Sequence, residues 1–105
     1  MQEISLDELF GHLDKLGESE VVLDVRRPDE YEAGHIKGSL NIAHDEVGDF
    51  AEKLKAYSKI FIHCKAGGRA RTAFNTLEAL GFNNVVCIAD AGFDEWVNRG
   101  YPVEK

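Results

Sequence analysis

Short apolar runs alternate with segments of helical period, and this alternation restricts the fold more than any other feature of the chain. Val21-Val22-Leu23-Asp24-Val25, Ile60-Phe61-Ile62 and Val85-Val86-Cys87-Ile88 read as buried strands, with 39–43 as a further short one. Between them, residues 5–16 read as a helix. Ser5 and Glu8 have capping-box spacing, and Leu6, Leu9, Phe10 and Leu13 form its apolar stripe. Pro28 opens a helical turn that Gly34 closes. Residues 47–57 read as a helix with Val47, Phe50 and Leu54 on one face. Residues 69–80 read as another, with Ala73, Leu77 and Leu80 apolar and Gly81 as its stop. A last short helix spans 93–98. Strands in this rhythm predict an α/β protein, a parallel sheet covered by helices on both faces.

At 105 residues the chain has the length of one domain, expected to span 1–105. Its formal net charge of −7 disfavours nucleic acid and anionic membranes as partners. The two cysteines, Cys64 and Cys87, are too few for a small secreted scaffold held by disulfides. No Cys/His cluster has zinc spacing. The start, Met1-Gln2-Glu3-Ile4-Ser5, lacks the basic flank and apolar run of a signal peptide. A reduced, cytoplasmic protein is the expectation.

Parallel sheets gather function at the carboxyl ends of their strands. Two segments there carry unusual chemistry: Asp24-Val25-Arg26-Arg27 and His63-Cys64-Lys65-Ala66-Gly67-Gly68-Arg69. In the second, a cysteine at a strand end precedes two adjacent glycines and then a helix. Glycines let successive backbone N–H groups turn inward as an anion-binding nest. The positive end of the helix dipole points to the same place. Lys65, Arg69 and Arg71 add formal charge. Such surroundings favour a thiolate, the nucleophilic form of cysteine. Cys64 is therefore the expected nucleophile.

The stretch Cys64-Lys65-Ala66-Gly67-Gly68-Arg69-Ala70 resembles the active-site loop of single-domain rhodaneses, the thiosulfate sulfurtransferase family. Leu23-Asp24-Val25-Arg26 followed by Glu30-Tyr31-Glu32-Ala33-Gly34-His35-Ile36-Lys37-Gly38-Ser39 resembles the family's amino-terminal signature. Gly92, Trp96 and Gly100-Tyr101-Pro102-Val103 resemble its carboxyl-terminal one. The resemblance implies a rhodanese-like three-layer fold, a five-stranded parallel sheet flanked by helices, with no metal or organic cofactor. It implies that Cys64 takes the outer sulfur of thiosulfate or another sulfane donor, becomes a persulfide, and yields the sulfur to cyanide or a thiol. It makes Lys65, Ala66, Gly67, Gly68, Arg69 and Ala70 the substrate-binding loop, and Asp24 and Arg26 a scaffold for the site. No second subunit is implied, and a protein could serve as sulfur donor or acceptor. A sulfur-carrier or interaction module is the alternative.

Loop length separates sulfur from phosphate chemistry. Related dual-specificity phosphatases have a loop one residue longer between the cysteine and its arginine. Here Arg69 follows after four residues, and Ala70 stands where the phosphatase arginine would be. The tighter ring suits attack on a single sulfur better than a wrapped phosphoryl group, which disfavours a phosphatase or an arsenate reductase. Two residues depart from the family pattern: Ala70, where a hydroxyl residue is common, and Ala91, where a glycine is common.

Other residues take ordinary roles. Asp24 is expected either to accept hydrogen bonds from the loop or to be structural, and Arg26 to pair with Glu30 or Glu32. His35 is expected to bond the backbone near Gly38. His63 should point to the opposite face of its strand from Cys64. Cys87 and Trp96 are expected in the core, and His12 and His44 at the surface.

Overall fold

The computed structural model describes residues 2–88 and 90–105. Five strands form one parallel sheet: β1 (Glu3–Ile4), β2 (Glu20–Asp24), β3 (Leu40–Asn41), β4 (Lys59–His63) and β5 (Val85–Ile88). Their order is β1-β5-β4-β2-β3, so the two longest strands lie side by side near the centre. The helices are α1 (Leu6–His12), α2 (Pro28–Ala33), α3 (Ala51–Leu54), α4 (Gly68–Ala79) and α5 (Phe93–Asn98).

Alternation along the strands sends side chains to two cores. Val21, Leu23, Ile60, Ile62, Val85 and Cys87 face α3 and α4, where they meet Leu54, Ala73, Phe74 and Leu77. Val22, Phe61, Val86 and Ile88 face α1 and α5, where they meet Leu6, Leu9, Phe93 and Trp96. Both faces are covered, which is why the strands read as continuous apolar runs. Ser5 caps α1 through a reciprocal capping box with Glu8. Gly81, at φ 93°, follows the end of α4.

Several elements differ from the sequence expectation. The first helix ends at His12 and continues as a 3-10 turn over Leu13–Lys15. The helix expected over 47–57 begins as a 3-10 turn, Val47–Phe50, before α3. The tighter turn shifts the facing of its residues, so Val47 and Leu54 are buried while Phe50 is 40% exposed. Leu80 lies past the end of α4 and is 51% exposed; Ala70 and Phe74 complete that helix's buried stripe. The two-residue strand β1 carries no period that a sequence reading could detect. It is fixed by pairing with β5, Glu3 opposite Cys87. No helix among the described residues is long and apolar enough to cross a membrane.

Candidate active site

Strand β4 delivers Cys64 to the carboxyl edge of the sheet, between its neighbours β2 and β5. The turn that follows is tight. The backbone N–H of Gly67 points back at the Cys64 sulfur, 3.0 Å away. Gly67 has φ 115°, a left-handed conformation that a side chain would strain. Immediately after it α4 starts, and the N–H of Arg71 already bonds the Gly67 carbonyl. The thiol thus sits at the positive end of a three-turn helix and receives a hydrogen bond. Cys64 is 1% exposed, whereas Lys65 and Ala66 stand out in solvent.

The back of the loop rests on α5. The N–H of Phe93 donates to the Cys64 carbonyl at 2.8 Å, and that of Asp94 to the Lys65 carbonyl at 3.3 Å. These bonds need close approach of two backbones at Gly92. A Cβ there would collide with the carbonyl oxygens of Cys64 and Lys65. Gly92 therefore has a fixed reason to be glycine, while Ala91 packs against the aromatic core of α1 and α5 and needs no such freedom.

Asp24 and Arg26 form a buried pair beside this seat. The Asp24 carboxylate accepts from the Arg26 side chain at 2.7 Å and 3.0 Å, and from the Arg26 backbone N–H at 3.0 Å. The Arg26 guanidinium also donates to the Gly34 carbonyl at 2.7 Å and lies 4.1 Å from the centre of the Phe93 ring. It ties the end of α2 to the first residue of α5. Arg26 pairs with neither Glu30 nor Glu32, because a carboxylate two residues away is already in place at the strand end. Nor does the Asp24 carboxylate accept a hydrogen bond from residues 64–70 among the described residues; its link to the loop runs through Arg26 and Phe93.

His63 lies on the side of the strand away from Cys64, fully buried, with Nε2 3.8 Å from the Asp24 carboxylate. Burial pushes its pKa down, against the pull of Asp24, so the imidazole is held neutral. Cys87 is buried, and burial raises its thiol to about 11, which makes it a core residue and a poor nucleophile. Trp96 is buried, with its indole N–H on the Pro102 carbonyl at 2.7 Å. His35 bonds the Tyr31 carbonyl through Nδ1 at 2.9 Å rather than backbone near Gly38, since stacking on Tyr31 turns the ring that way.

Of the expected loop residues, Ala70 has its side chain wholly in the core, so only its backbone can face a ligand. Arg69 is engaged. Glu30, in the first turn of α2, accepts from both of its terminal nitrogens, at 2.6 Å and 3.1 Å. That ion pair, with the Arg27 N–H, brings the Glu30 carboxyl down to about 2. Gly92 had no assigned role in the sequence, and Glu30 was expected as a partner of Arg26 rather than of Arg69. The glycine was visible only as part of a motif. The glutamate lies 39 positions from its partner, and no local pattern connects them.

The rhodanese-like domain profile matches residues 5–99. YrkF of Bacillus subtilis, provisionally named a sulfur carrier protein, is 35% identical over 97 residues, covering 92% of this chain and 51% of that protein. The chain thus spans about half the length of that relative. Thiosulfate sulfurtransferase GlpE of Pseudomonas entomophila is 36% identical over 87 residues, 83% of this chain and 78% of that one. Among solved structures, a rhodanese-related protein of Thermoplasma volcanium superposes with a TM-score of 0.78 at 32% identity, covering 99% of this chain and 98% of that one.

Proposed function

The chain belongs to the rhodanese-like domain family, and from that premise we propose that it is a sulfurtransferase whose Cys64 carries sulfur as a persulfide. The observation that carries the reading is the Gly67 N–H aimed at the Cys64 sulfur from a four-residue turn. The Cys64 thiolate attacks the outer sulfur of a sulfane donor. The donor's S–S bond breaks, and its electron pair leaves with sulfite or with a thiolate. A new S–S bond joins Cys64 to the transferred sulfur. In the second half-reaction cyanide or a thiolate attacks that outer sulfur, and Cys64 leaves as a thiolate. This is covalent catalysis of ping-pong type. The Gly67 N–H stabilises charge on the sulfur at both stages. A general base is not required if Cys64 is ionised at the start.

Loop size and burial favour sulfur over phosphate. The four-residue turn is one residue shorter than the phosphatase loop, and a tighter ring around a nearly buried sulfur suits attack on a single sulfur better than a wrapped phosphoryl group. GlpE, named as a thiosulfate sulfurtransferase, supports the enzymatic form of the reading. YrkF, with its sulfur-carrier name, supports a second form in which a protein loads Cys64. Both forms use the same persulfide.

Transfer kinetics test the proposal. Cyanide and a sulfane donor, thiosulfate or an organic persulfide, should yield thiocyanate with parallel-line ping-pong kinetics. Cys64→Ser should lose the activity while keeping the native thermal transition. Thiocyanate formation by Cys64→Ser at the unsubstituted rate would overturn the role of Cys64.

A further inference from the structure

The arginines around the loop are already spent. Arg69 is held by Glu30, Arg26 by Asp24, and Arg71 lies 3.6 Å from Glu3 of β1. Lys65 is the loop cation that no ion pair engages among the described residues. Beside it, a cavity of about 260 Å³ is lined by Lys65, Ala66, Asp90, Asp94 and Glu95; Glu95 pairs with Arg99 at 3.4 Å, which leaves two carboxylates to one ammonium. Ala70 supplies no hydroxyl. The sequence expectation of a strongly cationic loop thus meets a site whose arginines are each matched by a carboxylate.

Glu30 is the decisive member. Its carboxylate takes both terminal nitrogens of Arg69, and one of its oxygens also accepts the Arg27 backbone N–H at 2.9 Å. The side chain is anchored to the helix terminus it caps, so it does not swing aside freely. Arg69 is near enough to Cys64 for the two to interact electrostatically. Freed, its fork would suit an oxyanion or a carboxylate; clamped, it presents a neutral pair.

We propose that Glu30 is a positioning residue that sets the charge selectivity of the site, so that Cys64 takes its sulfur from persulfides with a cationic or neutral body in preference to anionic donors. The inference rests on the sulfur-transfer reading and names its donor class. The loading step is Cys64–S⁻ + R–S–SH → Cys64–S–SH + R–S⁻. One S–S bond breaks and one forms, the electron pair leaves with the R–S⁻ thiolate, and the proton stays on the outer sulfur. A body R that extends over Lys65 and Ala66 would approach the carboxylates of Asp90 and Asp94, which line the same cavity as those two loop residues and favour an ammonium over a carboxylate.

The test uses three small persulfides, those of cysteamine, 2-mercaptoethanol and 3-mercaptopropionate, with thiosulfate as a fourth donor; each loading rate is divided by that donor's rate with a small thiolate in free solution, which removes the difference in leaving ability. Mass spectrometry follows the gain of one sulfur on the protein over time. In the unsubstituted protein the ammonium-bearing donor should load fastest and the carboxylate-bearing one slowest. Added salt should narrow the gap by screening. Glu30→Gln keeps an oxygen for the Arg27 N–H and releases Arg69. It should raise the rate of the carboxylate donor relative to the ammonium donor by about tenfold, the worth of one charge-assisted hydrogen bond. Thiosulfate should gain in the same direction. A merely structural Glu30 would change all donors alike. Donor order and salt response need no variant, so they decide the matter even if Glu30→Gln folds poorly. The inference is overturned if the carboxylate donor loads as fast as the ammonium donor, or if Glu30→Gln leaves their ratio unchanged. Loading from none of the four donors would overturn the sulfur-transfer reading with it.

Discussion

The Gly67 N–H points at the Cys64 sulfur across 3.0 Å, from a glycine at φ 115°. The hydrogen bond and the backbone conformation are one feature, because only the left-handed turn aims that N–H inward. An L side chain at such a position costs about 1–2 kcal/mol. Gly67→Ala should lower stability by about that amount and slow sulfur transfer by at least tenfold, by turning the donor away from the sulfur. Denaturant unfolding and transfer rates, measured on the same preparation, check both effects. A variant with full activity would separate the N–H from the chemistry.

The seat beneath the loop makes a second expectation. A methyl group at Gly92 meets the carbonyl oxygens of Cys64 and Lys65, which are backbone and cannot rotate away. Gly92→Ala should therefore push α5 from the loop and weaken the Phe93 N–H bond to Cys64. A loss of about 1–3 kcal/mol is expected from such overpacking, with loss of transfer activity. Ala91→Gly next door should change activity little, since Ala91 is packing rather than close approach. Differential scanning fluorimetry with a transfer assay compares the pair. Equal behaviour of the two variants would contradict the contact.

Acid should destabilise the fold in two stages, and both signs can be worked out. Glu30 titrates at about 2 in the folded protein, below an ordinary carboxyl group, because Arg69 favours its charged form. The unfolded chain then binds the proton more readily, so this contribution is present above the ordinary carboxyl range and is lost as pH falls toward 2. His63 is also lowered, here by burial, so stability begins to fall as pH drops through the ordinary histidine range. Tm measured against pH should decline gently below the histidine range and more steeply below the carboxyl range. In Glu30→Gln the steep stage should be reduced. An unchanged acid limb in that variant would show that the ion pair adds nothing to stability.

What the sequence made legible was local. Apolar runs gave β2, β4 and β5, the Ser5/Glu8 spacing gave the start of α1, and the Gly67-Gly68 pair after a strand-end cysteine located the turn. What stayed hidden depended on partners far along the chain. β1 is two residues whose pairing with Cys87 and Ile88 forms only in the folded sheet. Phe50 and Leu80 have helical spacing, but one lies in a 3-10 turn and the other beyond a helix end, so the spacing misplaced them. Arg26 was matched with glutamates at helical distance, whereas the nearer Asp24 was better placed by the strand-end geometry. The engagement of Arg69 by Glu30 joins the segments that follow two neighbouring strands, β2 and β4, far apart in sequence, and formal charge counted along the loop overstated what a ligand meets.

Sulfur transfer through Cys64 requires that the sulfur reside on that residue between the two half-reactions. The most direct measurement is mass spectrometry of the intact protein and of its peptides after incubation with thiosulfate or a small persulfide. A gain of one sulfur atom is expected, located on the peptide that holds Cys64, absent from the peptide that holds Cys87, and removed by cyanide with release of thiocyanate. No gain under any donor, or a gain on Cys87 in place of Cys64, would contradict it.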